Sequence, residues 1–95
     1  MNAEKSKRLD LFLADQTKED YDWWREENPK LLKRIDDLID NCRDTPFSGI
    51  GKPEPLKYEL AGLWSRRINK EHRLVYLVEV DTLFVLSCRY HYPKK

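Results

Sequence analysis

The sequence is short of the residues that most often announce a special chemistry. Of its 95 residues only two are cysteine, three glycine and one methionine. Cys42 and Cys88 stand far apart, and neither has a second cysteine or a histidine at zinc-finger spacing. His91 follows Cys88 by three residues, but two ligands do not make a metal site. The two thiols read as reduced and buried, and neither metal nor cofactor is expected. No apolar run approaches the roughly 20 residues of a membrane span. The opening M-N-A-E-K-S-K-R lacks the apolar stretch of a secretory signal, so the expected compartment is the cytosol. The sequence holds no internal repeat and no low-complexity segment.

What is present points to one small folded domain. The chain is 40% hydrophobic, 12% aromatic and 37% charged. A chain of this size buries roughly 60–65% of the surface its unfolded form exposes, enough for one modest core. Its aromatic and β-branched residues argue against disorder. The net charge of +1 conceals an asymmetry. Residues 1–48 carry nine Lys and Arg against twelve Asp and Glu, whereas residues 49–95 carry nine against five. A basic C-terminal half is consistent with an anionic partner such as nucleic acid, although such an imbalance often marks nothing more than a solvated face.

Residues 1–8 read as a flexible polar extension, residues 9–92 as a single domain and residues 93–95 as a short basic tail. L-D-L-F-L-A at 9–14 suits a first strand. Asp15 or Thr17 can cap the helix that follows, on which Tyr21 and Trp24 share a face. Asn28-Pro29 reads as the N-cap and first position of a second helix. Leu31, Ile35, Leu38 and Cys42 form its apolar stripe, with Leu32 and Ile39 beside it. After a loop rich in proline and glycine the period becomes alternating. Residues 63–69, 73–80 and 83–92 read as three strands joined by short antiparallel connections. The order β-α-α-β-β-β predicts an α+β domain, with two helices on one face of a twisted, mostly antiparallel sheet. Unbroken alternation along the last strand puts Leu83, Val85, Ser87, Arg89 and His91 on the open face with Arg73. It turns Phe84, Leu86, Cys88 and Tyr90 toward the helices.

That open face would carry the makings of metal-free RNA cleavage. Attack of a 2′-hydroxyl on the adjacent phosphorus needs a base, an acid for the leaving 5′-oxygen and cations for the phosphorane. Carboxylate, imidazole and guanidinium suffice, and a histidine suits either proton role. Glu54 is held extended between Pro53 and Pro55, with Lys52 and Lys57 on either side. Arg73 opens a strand, His91 closes another, and Tyr92 can stack a base. Taken singly each has a plainer reading: Glu54 as loop surface, His91 as solvated, Arg73 as an ion-pair partner of Glu71 or Glu79, Tyr92 as a rim aromatic.

Four segments in fixed order make the reading specific. T-P-F-S-G-I-G-K-P-E-P-L-K (45–57), L-W-S-R-R-I (63–68), E-H-R-L-V-Y (71–76) and C-R-Y-H-Y (88–92) resemble the YoeB toxins, a branch of the RelE-like superfamily of bacterial type II toxin–antitoxin systems. Weaker similarity runs back through E-D-Y (19–21). The resemblance implies a microbial-ribonuclease-like, RelE-like fold and a ribosome-dependent endoribonuclease that cuts messenger RNA in the ribosomal A site. It implies Glu54 as general base, His91 as general acid and Arg73 as the phosphate-stabilising arginine, with Lys57 and Tyr92 in support. Arg67 matches an arginine at the rim, and Lys52 and Arg89 join it as expected RNA contacts. Trp64 and Arg66 alternate to the other face. The resemblance further implies a YefM/Phd-type antitoxin whose tail folds onto the toxin, a homodimer, a bacterial cytoplasmic location, and contact with DNA only through the antitoxin. Members usually end at the tyrosine matching Tyr92; here Pro93-Lys94-Lys95 follows. Two other readings use the same fold: a non-catalytic inhibitor that occupies the ribosome or RNA, and a relative of the gyrase-poisoning branch, which generally lacks this catalytic set.

Overall fold

The structure, a computed structural model, describes residues 8–90. Arg8, placed by the sequence in a flexible extension, is held to the second helix by ion pairs to Asp40 (2.7 Å) and Asp44 (2.8 Å). His91, Tyr92 and the basic tail lie outside the described residues.

The elements are β1 (Asp10–Leu13), α1 (Asp15–Glu27), α2 (Lys30–Asp44), β2 (Glu54–Pro55), β3 (Trp64–Arg67), β4 (Arg73–Glu79) and β5 (Thr82–Ser87), with a 3₁₀ turn at Tyr58–Leu60. The strands form one mixed sheet in the order β1-β5-β4-β3-β2. β1 runs parallel to β5, and the other neighbours are antiparallel. This is the anticipated α+β layout with one added strand. β2 is two residues long, too short to leave a period in sequence. Pro55 is admissible there because β2 lies at the sheet edge.

The stripe on α2 is seen as expected, with Ile35, Leu38, Ile39 and Cys42 buried. They meet Trp24 of α1 and Leu74, Tyr76, Leu83 and Val85 of the sheet. Among the described residues no helix is long and apolar enough to cross a membrane.

Both helix starts differ from expectation. Ala14 is the N-cap of α1, with no side-chain cap bond. Thr17 is inside the helix and fully buried, and its hydroxyl donates to the Val85 carbonyl at 2.7 Å. A β5 acceptor thus takes the hydroxyl that was assigned to capping. Asn28 closes α1, its N–H bonding the Trp24 carbonyl, and Pro29 rather than Asn28 caps α2.

The larger correction concerns β5. Cross-strand partners share a face, and Val78 pairs with Leu83 and Tyr76 with Val85. Leu83 and Val85 therefore face the helices and are fully buried. The register slips between Val75 and Tyr76, so that Ser87 pairs with Val75 and Leu86 is the extra residue of a bulge. A bulge reverses the alternation, and for this reason Val85 and Ser87, two residues apart, lie on opposite faces.

Candidate functional site

The open face is built by register. Glu54 pairs with Ser65, Ser65 with Val75 and Val75 with Ser87, one row across four strands. One step along, Arg67 of β3 pairs directly with Arg73 of β4. Glu54, Arg67 and Arg73 thus share the face away from the helices. Ser65, Val75 and Ser87 are buried and form its floor.

The Arg67–Arg73 pair is electrostatically odd. Like charges directly opposite on neighbouring strands repel. Yet among the described residues neither arginine forms an ion pair with a carboxylate. Glu71 and Glu79, the alternative partners suggested by sequence, do not neutralise Arg73. Instead one nitrogen of its guanidinium, Nη1, donates to the Asn69 carbonyl (2.8 Å) and the His72 carbonyl (3.1 Å). The turn residue Asn69 in turn accepts from the Glu71 and His72 amides. The β3–β4 hairpin thereby aims a cation without neutralising it.

Glu54 is exposed and, among the described residues, makes no ion pair. The segment before it is fixed from beneath. Gly51 takes a φ of 81°, and a Cβ there would meet Leu38 Cδ2 at 2.7 Å, so the chain crosses α2 only as glycine. The Gly51 carbonyl accepts from the Arg67 amide at 2.7 Å. Lys52 follows with φ 52° and an exposed side chain. Lys57 is extended and exposed at the start of the 3₁₀ turn, and residues 54–60 line an open depression that includes Glu54 and Lys57.

Arg89 is not gathered with this group. Its guanidinium carbon lies 3.7 Å from the ring centroid of Trp23 on α1 and 4.6 Å from that of Tyr90. It also donates to the Tyr90 hydroxyl at 2.9 Å. The ladder ends at Ser87, and beyond it the chain carries Arg89 toward α1. His91 and Tyr92 lie outside the described residues.

The site depends on residues that sequence reasoning undervalued. Arg66 is fully buried on the helix side. It donates to the Tyr76 hydroxyl (3.2 Å), Asn41 Oδ1 (2.6 Å) and the carbonyls of Ile50 (3.0 Å), Thr45 (2.6 Å) and Ser48 (2.8 Å). The loop that delivers Glu54 is wrapped on this one cation, at the C-terminal end of α2 where positive charge is favoured. The only sequence hint was the pleat, which put Arg66 opposite to Arg67. The thiols offer no competing chemistry. Burial pushes Cys42 up, with nearby Arg66 opposing it less strongly, and pushes Cys88 up further with Asp20 and Asp36 adding to the effect. Among the described residues no cluster of three or more His, Cys, Asp or Glu could hold a metal ion.

Residues 13–92 match the family model for the YoeB-like toxin of bacterial type II toxin–antitoxin systems. The chain is 50% identical over 84 residues to Toxin YoeB of Escherichia coli K12, covering 88% of this chain and all of the relative. It is 56% identical over 75 residues to Toxin YoeB of Synechocystis, covering 79% and 87% of the two chains. Among solved structures, a YoeB/ParE toxin from Agrobacterium tumefaciens superposes with a TM-score of 0.84 at 45% identity, over 88% of this chain and all of the other. The YoeB–YefM complex from Staphylococcus aureus gives 0.78 at 45% identity, over 90% of this chain and all of the other.

Proposed function

From membership of the YoeB-like toxins of bacterial type II toxin–antitoxin systems, to which this chain belongs, we propose that it is a ribosome-dependent endoribonuclease cutting messenger RNA in the A site. The observation that carries the reading is the Arg67–Arg73 pair, two cations set side by side without a carboxylate, one step from Glu54. An RNA phosphate between them removes their repulsion and lies within reach of the base.

In the proposed reaction Glu54 takes the proton of the 2′-hydroxyl. The oxygen bonds to phosphorus, and Arg73 holds the charge that develops on the phosphorane. The bond to the 5′-oxygen breaks as His91 protonates it, leaving a 2′,3′-cyclic phosphate and a free 5′-hydroxyl. Lys57 and Tyr92 support the phosphate and the base, and Arg67 and Lys52 hold the flanking backbone. No step requires a metal. The net charge of only +1 fits weak affinity for free RNA, with the ribosome supplying much of the positioning.

A YefM-type antitoxin is the proposed partner, and a homodimer the proposed self-association. Solved relatives from Staphylococcus aureus include a YoeB dimer and a YoeB–YefM complex. An acidic antitoxin segment would neutralise Arg67 and Arg73 directly. The proposed location is the bacterial cytoplasm, with DNA reached only through the antitoxin.

The test is single-turnover cleavage on ribosomes holding a defined message with an empty A site, with naked RNA as control. The wild type should cut within the A-site codon, and Glu54→Ala and His91→Ala should both be crippled while still binding. Tight ribosome binding without cleavage by the wild type would overturn the enzymatic reading and leave a non-catalytic inhibitor.

A further inference from the structure

The end of β5 makes an unusual exit. After Ser87 the strand leaves its ladder, yet the backbone groups of Cys88 and Tyr90 remain paired. The Cys88 amide donates to Asp20 Oδ2 at 2.9 Å, and the Cys88 carbonyl accepts from the Trp24 indole at 2.8 Å. Asp20 and Trp24 stand four apart on α1, both buried, so one helix face holds both sides of one residue. Two residues on, the β3–β4 hairpin takes over. The Tyr90 amide donates to His72 Nδ1 at 2.7 Å, and the Tyr90 carbonyl accepts from the Arg73 amide at 2.7 Å. Tyr90 has a φ of 64°, in the left-handed region that favours glycine, so these bonds hold a conformation that tyrosine adopts rarely.

We propose that His72 is a positioning residue for the reaction: by accepting the Tyr90 amide it fixes the point and direction from which the chain continues to His91. This rests on the reading of His91 as the general acid. The adjacent residues His72 and Arg73 would then divide the work. Arg73 presents its guanidinium to the phosphate, while its own amide and the His72 ring together grip the peptide preceding the acid. His72 is well placed for this. The residue is 7% exposed, its ring edge-on to Trp24 with centroids 4.8 Å apart and 5.5 Å from the Tyr90 ring. An Nδ1 that accepts carries no proton, so the imidazole acts here as an acceptor. A one-ångström error in placing a catalytic group can cost about 100-fold in rate.

The experiment compares the full-length wild type with His72→Phe, which keeps the ring packing but removes the acceptor. His72→Asn returns an acceptor at the Nδ1 position, and His72→Gln carries one only further out. Thermal melts establish that each variant folds, and His72→Gln serves as the removal variant should His72→Phe not fold. Hydrogen exchange at the Tyr90 amide is the first readout. It should be slow in the wild type and His72→Asn and at least tenfold faster in the removal variant; equal exchange in all would overturn the clamp. The second readout is single-turnover cleavage on programmed ribosomes at saturating toxin. The removal variant should lose at least tenfold in rate with ribosome binding within about twofold, and His72→Asn should recover most of the loss. A removal variant as fast as the wild type, or one that His72→Asn does not outperform, would overturn the positioning role. Should the wild type itself not cleave, the nuclease reading and the role in catalysis fall together, while the exchange result still decides whether the clamp exists.

Discussion

Arg66 and Arg67 are neighbours on β3 and have opposite fates. Arg66 is fully buried and meets five neutral acceptors; Arg67 is exposed and faces another arginine. One cation organises a loop from within, and the other is left for something outside. The pleat accounts for the difference, since adjacent residues on a strand point to opposite faces. Side-chain type therefore says little about role in this sheet, and face says a great deal.

The sharpest way to break the comparison is to remove the buried member. Arg66→Met removes the donor shared by Asn41, Tyr76 and three carbonyls, and should cost about 3–5 kcal/mol by denaturant unfolding. The same change should loosen the loop over α2, making Cys42, protected in the wild type, label faster with a thiol reagent under native conditions. Arg73→Ala should behave in the opposite way. Stability should stay within about 0.5 kcal/mol of wild type, because a surface repulsion is lost along with a few turn contacts. Single-turnover cleavage should fall about 100- to 1,000-fold, as expected for removing charge stabilisation in the transition state. An Arg73→Ala protein that cleaves normally would dissolve the distinction between the two faces. Arg67→Ala should be milder, weakening RNA engagement and lowering the salt dependence of binding by about one phosphate contact. The smallest effect lies away from both arginines. Val80 sits at the exposed tip of the β4–β5 hairpin with φ 54°, strained for a β-branched residue. Val80→Gly should raise stability by about 1 kcal/mol without changing cleavage, a reference for variants that act through the fold alone.

Much of this organisation was legible in the sequence. The apolar stripe of α2 and the alternation of β4 gave the helical layer and the face carrying Arg73. The proline-flanked Glu54 gave the loop, and ladder register then put it beside Arg67. What stayed hidden depended on partners distant in sequence or on breaks in period. Arg66 finds its acceptors 10 to 25 residues away, so its charge read as an ordinary polar position. The bulge at Leu86 reversed the faces expected for Leu83 and Val85, and the end of β5 at Ser87 took Arg89 out of the expected cluster. The sequence gives no sign that His72 and Asp20 hold the end of β5, because the backbone groups they bind, in Tyr90 and Cys88, lie 18 and 68 residues downstream. Thr17 was read as a cap for the same reason.

The strand order has a temporal consequence. β5, last in chain order among the described strands, lies between β1 and β4, and β1 has no other neighbour in the sheet. The nascent chain can form the β3–β4 hairpin early, but its first strand must wait some seventy residues for a partner. Until residues 82–87 emerge, the sheet is missing its second strand, and the segment that follows them has nowhere to dock. Completion of the sheet whose β2, β3 and β4 carry Glu54, Arg67 and Arg73 thus waits for residues 82–87.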